Sequence, residues 1–369
     1  MKIQKTQEGD IDLIIPNQNK YGEPEEAPVF YNPIMEKDRD LSAEVIYKFL
    51  KEMEEDKEPK ILDALSATGV RGIRYSEKTG AKSIANDANP KAVQIIKKNI
   101  ELNEDRDIEV EPREEDANRI MTGREKFEVV DIDPFGSPAP FLNNAFKSLN
   151  PRKSLLAVTA TDLGALSGHY PKTCFRRYGI KTIENPWEHE IGLRNLITAV
   201  QKQGSIHRFT ADPLLCYWRR HYYRCFFEVR ESKSGINRNF EKTGYIGYCE
   251  NCGERRKAKL FNKLNTKCSC GAELKVIGPT WIGYLGNDEF LEKIEFPDPL
   301  LSKIKRESAV KELHYDTHRL SRIKGGKARK KSHYIDELSK KGYKASETMF
   351  TGHGFRTNAP RKEVVELSK

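Results

Sequence analysis

Between residues 60 and 161, short apolar runs alternate with amphipathic stretches, and no other feature constrains the fold as much. The apolar runs are Lys60 to Leu65, Ser83 to Asp87, Phe127 to Asp133 and Ser154 to Thr161. Between them, Val70 to Lys78, Pro90 to Leu102 and Ala139 to Leu149 carry apolar residues at helical spacing, and Pro90 suits a first helical turn. Strand and helix alternating at this spacing predict an α/β fold with a mostly parallel, doubly wound sheet. Ligands of such sheets bind outside the carboxyl ends of the strands. Tyr222 to Arg230 is a further expected strand that closes this unit or opens the next.

Composition separates the chain into two halves. Residues 1–225 hold 34 Lys and Arg against 36 Asp and Glu, whereas residues 226–369 hold 30 against 19. The entire net charge of +9 therefore comes from the second half, which points to an anionic partner there. The densest stretch, Arg319 to Lys331, includes Lys327, Arg329, Lys330 and Lys331, holds no acid and is interrupted by Gly325 and Gly326. Tyr315, His333 and Tyr334 flank it, so nucleic-acid contact is the preferred reading over a solvated tail. With 37% apolar and 32% charged residues and no apolar run of 18, the chain is expected to be cytoplasmic, with no membrane partner and no signal peptide. No obligatory protein partner is indicated.

The first strand-to-helix turn, Asp63 to Gly72, has neither the Gly-Lys-Ser/Thr of a phosphate loop nor the three glycines of a dinucleotide fingerprint. A nicotinamide dehydrogenase is therefore disfavoured. Asp63, Asp87 and Asp116 instead end three successive strands. Singly, each reads as a turn or helix-cap residue; in register, they suit an adenosine ligand lacking a pyrophosphate, with Asp87 accepting from both ribose hydroxyls.

At the end of the fourth strand stands Asp133-Pro134-Phe135-Gly136. It resembles the D/N/S-P-P-aromatic motif of S-adenosylmethionine-dependent methyltransferases that act on exocyclic amino groups of bases, with Phe in place of the second Pro and Gly in the aromatic position. The amine of guanine is a poor nucleophile because its lone pair is delocalised into the ring. Two acceptors, the Asp133 carboxylate and the Pro134 carbonyl, would localise that pair toward a methyl donor, and Phe135 would stack on an extruded base.

Longer strings extend the likeness. Val29 to Pro33 with Arg39 to Ser42, Leu62 to Arg74, Asp131 to Pro138, Thr159 to Leu163, Ser167 to Gly179, His189 to Arg194 and His353 to Pro360 resemble the tRNA guanine-26 dimethyltransferases of archaea and eukaryotes. That resemblance implies a class I, Rossmann-like methyltransferase domain over residues 1–225 and a C-terminal α+β tRNA-binding domain over residues 226–369. It also implies methyl transfer from S-adenosylmethionine to the exocyclic amine of guanine 26 in tRNA, once or twice. Arg39, Arg71, Asp87, Asp116 and Ala117 would hold the cofactor, and Asp133 and Phe135 the base. Arg39 and Arg71 would grip the methionine carboxylate, and Asp63, by position, the ammonium; Thr161 and Asp162 would line the pocket. Another tRNA guanine, such as position 27 or 10, and a noncatalytic zinc-containing RNA-binding protein are the rival readings.

Cys249 and Cys252, in C-x2-C, and Cys268 and Cys270, in C-x-C, are separated by fifteen residues. The spacing predicts a structural zinc site, although its second half is one residue short of the usual knuckle, and reduced thiols without metal are the alternative. Cys174, Cys216 and Cys225 are expected to be buried and inert. Thr280 to Leu285 is expected to form an aromatic-rich strand of the second domain.

Overall fold

The computed structural model describes residues 1–17, 19–53, 58–324 and 327–368; Gly325 and Gly326 lie outside the described residues. A hairpin of β1 (Ile3–Glu8) and β2 (Ile11–Pro16) precedes helix α1 (Glu36–Lys51). The alternation then delivers β3 (Lys60–Asp63), α2 (Val70–Thr79), β4 (Lys82–Asn86), α3 (Pro90–Glu101), β5 (Val110–Arg113), α4 (Ala117–Ile120), β6 (Val129–Ile132), α5 (Ala139–Ser148) and β7 (Ser154–Ala160). Helices α6 (Leu163–Ser167), α7 (Pro171–Tyr178) and α8 (Glu188–Ile206) follow, and β8 (Phe209–Arg219) and β9 (Tyr222–Glu231) complete the sheet.

The seven strands are ordered β5-β4-β3-β6-β7-β9-β8. The first five are parallel, and β9 and β8 add antiparallel to that edge. All seven residues of β7 are buried, as a strand covered on both faces requires. The chain leaves β3 toward β4 and later returns beside β3 as β6, so the topological switch point lies between β3 and β6. Asp63 ends β3 and Asp133 immediately follows β6, which places both at the crevice that such a sheet opens for ligands.

Residue 225 falls inside β9, which pairs with both β7 and β8, so the expected division there would cut the sheet. The sheet ends at Glu231. The charge change that marked the boundary follows the surface, whereas the strand follows its pairing. Beyond it come α9 (Lys233–Glu241) and a three-stranded antiparallel sheet ordered β11-β10-β12, of β10 (Thr243–Tyr248), β11 (Arg255–Lys259) and β12 (Lys275–Trp281). The strand expected at 280–285 thus ends at Trp281, where the chain turns. A small sheet of β13 (Tyr315–Asp316), β14 (Ala345–Glu347) and β15 (Gly354–Thr357) stands near the C-terminus.

The halves share one core. Leu62, Val130, Leu156 and Phe226 belong to the same apolar cluster as Trp281, Leu291, Leu301 and Phe350. A buried polar knot adds to this. Glu190 of α8 accepts from Arg194 at 2.8 Å and from Arg356 of β15 at 3.0 Å, and meets His314 Nδ1 at 2.7 Å. Burial would raise the Glu190 pKa, but the Arg356 and Arg194 guanidinium groups outweigh it and hold the carboxyl well below its ordinary range. Among the described residues, no helix is long and apolar enough to cross a membrane.

Candidate active site and cysteine cluster

The turn after β3 is built on Gly69, whose φ of +79° suits a residue without Cβ and which precedes the first residue of α2. Asp63 lies beneath it, fully buried. Its Oδ2 accepts from Gly72 N–H at 3.1 Å, while Oδ1 is buried with no hydrogen-bond partner among the described residues. Burial, aided by the nearby Asp131 charge, pushes the Asp63 carboxyl up to about 7. Asp87 follows β4 and accepts from Ala67 N–H at 2.9 Å and Asn89 N–H at 2.8 Å, tying the second strand end to the first turn. Each carboxylate oxygen has two lone pairs, so both retain one for another donor. Asp116 is the exposed N-cap of α4, accepting from Asn118 N–H at 3.0 Å and Arg119 N–H at 3.1 Å, with Ala117 buried behind it.

Asp133 and Arg71, which the sequence assigns to separate tasks, meet. Arg71 Nε donates to Asp133 Oδ2 at 2.8 Å, Nη2 donates to Asp38 Oδ2 at 3.0 Å, and Nη1 lies 3.3 Å from Ser42 Oγ and 3.4 Å from the Tyr75 hydroxyl. All three nitrogens are engaged. Asp133 Oδ1 has no partner among the described residues, and the side chain is 22% exposed, so one oxygen faces outward while the other is fixed. Arg39 is also held. Its Nε donates to Glu8 Oε1 at 2.7 Å and its Nη2 to Glu8 Oε2 at 2.5 Å, leaving Nη1 unengaged among the described residues. Tyr31 donates to the same Glu8 carboxylate at 2.9 Å.

Beneath Asp133, Asp131 is fully buried between Arg224, at 2.6 and 2.8 Å, and the Tyr75 hydroxyl at 2.5 Å. Burial acts to raise its pKa, yet Arg224 holds Asp131 below the usual carboxylate range. Asp38 is kept ionised in the same way by Arg71 and Arg224 against burial, and it also accepts from Tyr217 and Tyr222. Sequence reasoning missed Glu8, Asp38, Tyr75, Asp131 and Arg224. Asp131 carries a usable signal, the one charge in the otherwise apolar β6, whereas Arg224 shares β9 with Glu228, Arg230 and Glu231 and has no such mark.

The motif loop is anchored by Gly136, which donates to Thr161 Oγ1 at 2.6 Å and accepts from Thr161 N–H at 2.9 Å. Pro134 is buried and Phe135 is 66% exposed. Its ring meets Phe30 edge-on, with centroids 4.8 Å apart and planes at 85°. Phe30 is a second aromatic at the site that the motif alone does not reveal, although it lies in the Val29 to Pro33 string.

The four cysteines converge. Cys252 and Cys268 sulfurs are 3.4 Å apart, Cys249 and Cys270 sulfurs 3.6 Å, and all four lie within 4.8 Å of one another. The short second half has a structural answer. In the first turn Cys249 N–H donates to Glu254 C=O, whereas in the second Cys268 N–H donates to Ala272 C=O, a loop one residue shorter of the same kind. Cys174, Cys216 and Cys225 are buried free thiols.

In the basic run, Lys327, Arg329 and Lys330 are exposed, Arg329 Nη1 lies 2.9 Å from His333 Nε2, and Lys331 pairs with Glu347 at 2.9 Å. The expectation that Tyr315 and Tyr334 stack on RNA is corrected. Both are buried, each stacked on Phe355 in the core of the C-terminal sheet, at 5.4 and 4.8 Å. Their rings supply the apolar area which that small sheet needs.

The N2,N2-dimethylguanosine tRNA methyltransferase family model matches residues 9–369. A tRNA (guanine(26)-N(2))-dimethyltransferase of Archaeoglobus fulgidus is 36% identical, covering 92% of this chain and 94% of its own length. A tRNA (guanine(26)-N(2)/guanine(27)-N(2))-dimethyltransferase of Aquifex aeolicus is 34% identical over 98% of this chain and 94% of its own. The structure of Trm1 from Pyrococcus horikoshii with S-adenosyl-L-methionine superposes with a TM-score of 0.86 at 30% identity, covering 99% of both chains. A match over nearly the whole chain, with the Asp-Pro-Phe loop placed at the switch point of the sheet, makes this protein a member of the N2,N2-dimethylguanosine tRNA methyltransferase family.

Proposed function

We propose that this chain transfers one or two methyl groups from S-adenosylmethionine to the exocyclic amine of guanine 26 in tRNA. The observation that carries the proposal is Asp133 at the switch point, with one oxygen fixed by Arg71 and the other open beside Phe135 and Phe30. The open oxygen accepts a hydrogen bond from the guanine amine and localises its lone pair; the Pro134 carbonyl takes the second N–H. Phe135 and Phe30 hold the extruded base, because an exposed ring beside a fixed acceptor orients a planar heterocycle. Arg71 is a positioning residue that sets the Asp133 rotamer from below.

The residues fit the cofactor. Asp63 Oδ1 is a buried acceptor lacking a donor, which an ammonium group would supply, and the spare lone pairs of Asp87 suit two ribose hydroxyls. Asp116 and the Ala117 N–H would read the adenine, and Arg39 Nη1 would meet the methionine carboxylate. When bound, S-adenosylmethionine supplies a methyl group on a sulfonium centre. The four cysteines fit structural zinc, since ligands at about 2.3 Å in a tetrahedron leave sulfurs about 3.8 Å apart. The domain holding them and the Lys327 to Lys331 run would grip tRNA in the cytoplasm, fixing its register through phosphate contacts.

Incubating unmodified tRNA with labelled S-adenosylmethionine, followed by nucleoside identification and position mapping, tests the proposal. Label in N2-methylated guanosine at position 26 is expected. Label at position 27 as well would match the double specificity in the name of the Aquifex relative. Absence of label from any guanine amine would refute the proposal.

A further inference from the structure

Helix α7 sits against the motif loop and carries features that the reaction as described leaves unused. Its inner face buries Cys174 and Tyr178. The Tyr178 hydroxyl is 2.8 and 2.9 Å from the Asp162 carboxylate and 2.7 Å from Ser137 Oγ, and Arg177 also donates to Asp162 at 2.9 Å. Ser137 is two residues beyond Phe135, so the helix is fixed to the candidate base platform itself.

The outer face is basic and aromatic. Lys172, Phe175 and Arg176 stand at i, i+3 and i+4, on one side of the helix, and all are exposed. Phe175 is 64% exposed and Tyr170, just before the helix, 65%. Tyr170 is not a loose side chain. Its ring lies on Gly164 of α6, where a Cβ would come within 2.7 Å of the ring, so only glycine admits this close approach. Neither Lys172 nor Arg176 has a salt-bridge partner among the described residues. From Tyr170 to Lys181 the chain holds Lys172, Arg176, Arg177 and Lys181 and no acid, inside a half that carries a slight acidic excess.

We propose that Tyr170 and the outer face of α7 form an RNA-contact surface that receives the nucleotides flanking the methylated guanine. Unpaired cations at this spacing suit successive phosphates, and exposed rings among cations suit unstacked bases or ribose. Such unstacked nucleotides arise where a base is withdrawn from its helix, and the helix bearing this surface is bonded through Tyr178 to the loop that would take it. The charge complementarity favours a polyanionic RNA strand over a protein partner. The proposal rests on the chain being a tRNA methyltransferase.

The test compares the parent with Lys172→Ala/Arg176→Ala and with Phe175→Ala in the full-length protein, using unmodified tRNA transcript. The double variant should raise the tRNA Kd and KM by about tenfold and flatten the salt dependence by about two counterions, with the cofactor Kd unchanged. Phe175→Ala should weaken tRNA binding by about tenfold, and Phe175→Tyr should restore most of it, because the ring rather than the helix is at issue. Parental tRNA affinity and salt slope in the double variant, or equal loss in Phe175→Ala and Phe175→Tyr, would overturn the proposal. Failure of the parent to methylate tRNA would remove the activity on which it rests. Transfer by the parent together with unaltered binding by the variants would remove the surface alone.

Discussion

Removing the Asp133 carboxylate separates its two contacts. The outward oxygen is the one offered to the guanine amine, and a single preorganised polar contact of this kind is worth about a hundredfold to a thousandfold in rate, or ~2.7–4 kcal/mol. The inward oxygen holds Arg71 at 2.8 Å. Its loss does not strand a buried cation, because Arg71 keeps Asp38 at 3.0 Å. The stability cost should therefore be about 1.5–3 kcal/mol, that of one charged hydrogen bond, rather than the roughly 3–5 kcal/mol of breaking an isolated buried pair. Asp133→Ala is thus expected to fold, to bind S-adenosylmethionine with near-parental affinity and to lose methyl transfer by at least about a hundredfold. Asp133→Asn, which keeps one acceptor oxygen but must divide it between Arg71 and the amine, should fall between. Single-turnover transfer of labelled methyl to unmodified tRNA at saturating cofactor reads the rate, with calorimetry and thermal denaturation as controls. A folded, cofactor-binding Ala variant within about tenfold of the parental rate would refute the reasoning, since that loss is too small for the removal of a transition-state acceptor.

Asp63, raised to about 7 by burial and the Asp131 charge, holds an extra proton in the folded chain between about pH 4 and 7. In that window it lowers stability as pH rises. If its ionised form meets the cofactor ammonium, binding releases that proton and affinity should rise by up to about tenfold per pH unit below 7 and level off above it. Calorimetry across this range should show the rise, and Asp63→Asn should abolish it; a flat parental profile would exclude Asp63 from ammonium binding. Purified protein should carry about one zinc per chain, and Cys249→Ser should lower its thermal stability. Metal analysis of reduced protein with no zinc, and no thermal shift on adding it, would count against the site. Replacing Lys327, Arg329, Lys330 and Lys331 by Ala should weaken tRNA binding and flatten its salt dependence while sparing cofactor affinity. Lys331 already pairs with Glu347, so its share of the effect should be small, and a variant with the parental salt slope would assign the run to solvent.

Periodicity determined the α/β alternation, because a strand buried on both faces must be apolar throughout and a covering helix must repeat its apolar residues with the helical turn. The strand-end positions of Asp63, Asp87, Asp116 and Asp133 followed from it, as did the cysteine quartet from its spacing. These are local facts. The tertiary structure alone decided how charges so placed are shared. Arg71, eight residues beyond Asp63 on α2, reaches Asp133 and Asp38 instead of standing free, and Asp131 is neutralised by Arg224, 93 residues away. It also decided which aromatics stay exposed. Phe135, Tyr170 and Phe175 remain outside, whereas Tyr315 and Tyr334, beside the most basic run, are consumed by a small sheet with little else to bury. Pairing of distant charges and division of rings between core and surface depend on which elements pack together, and a one-dimensional pattern carries that only where a lone charge interrupts an apolar strand.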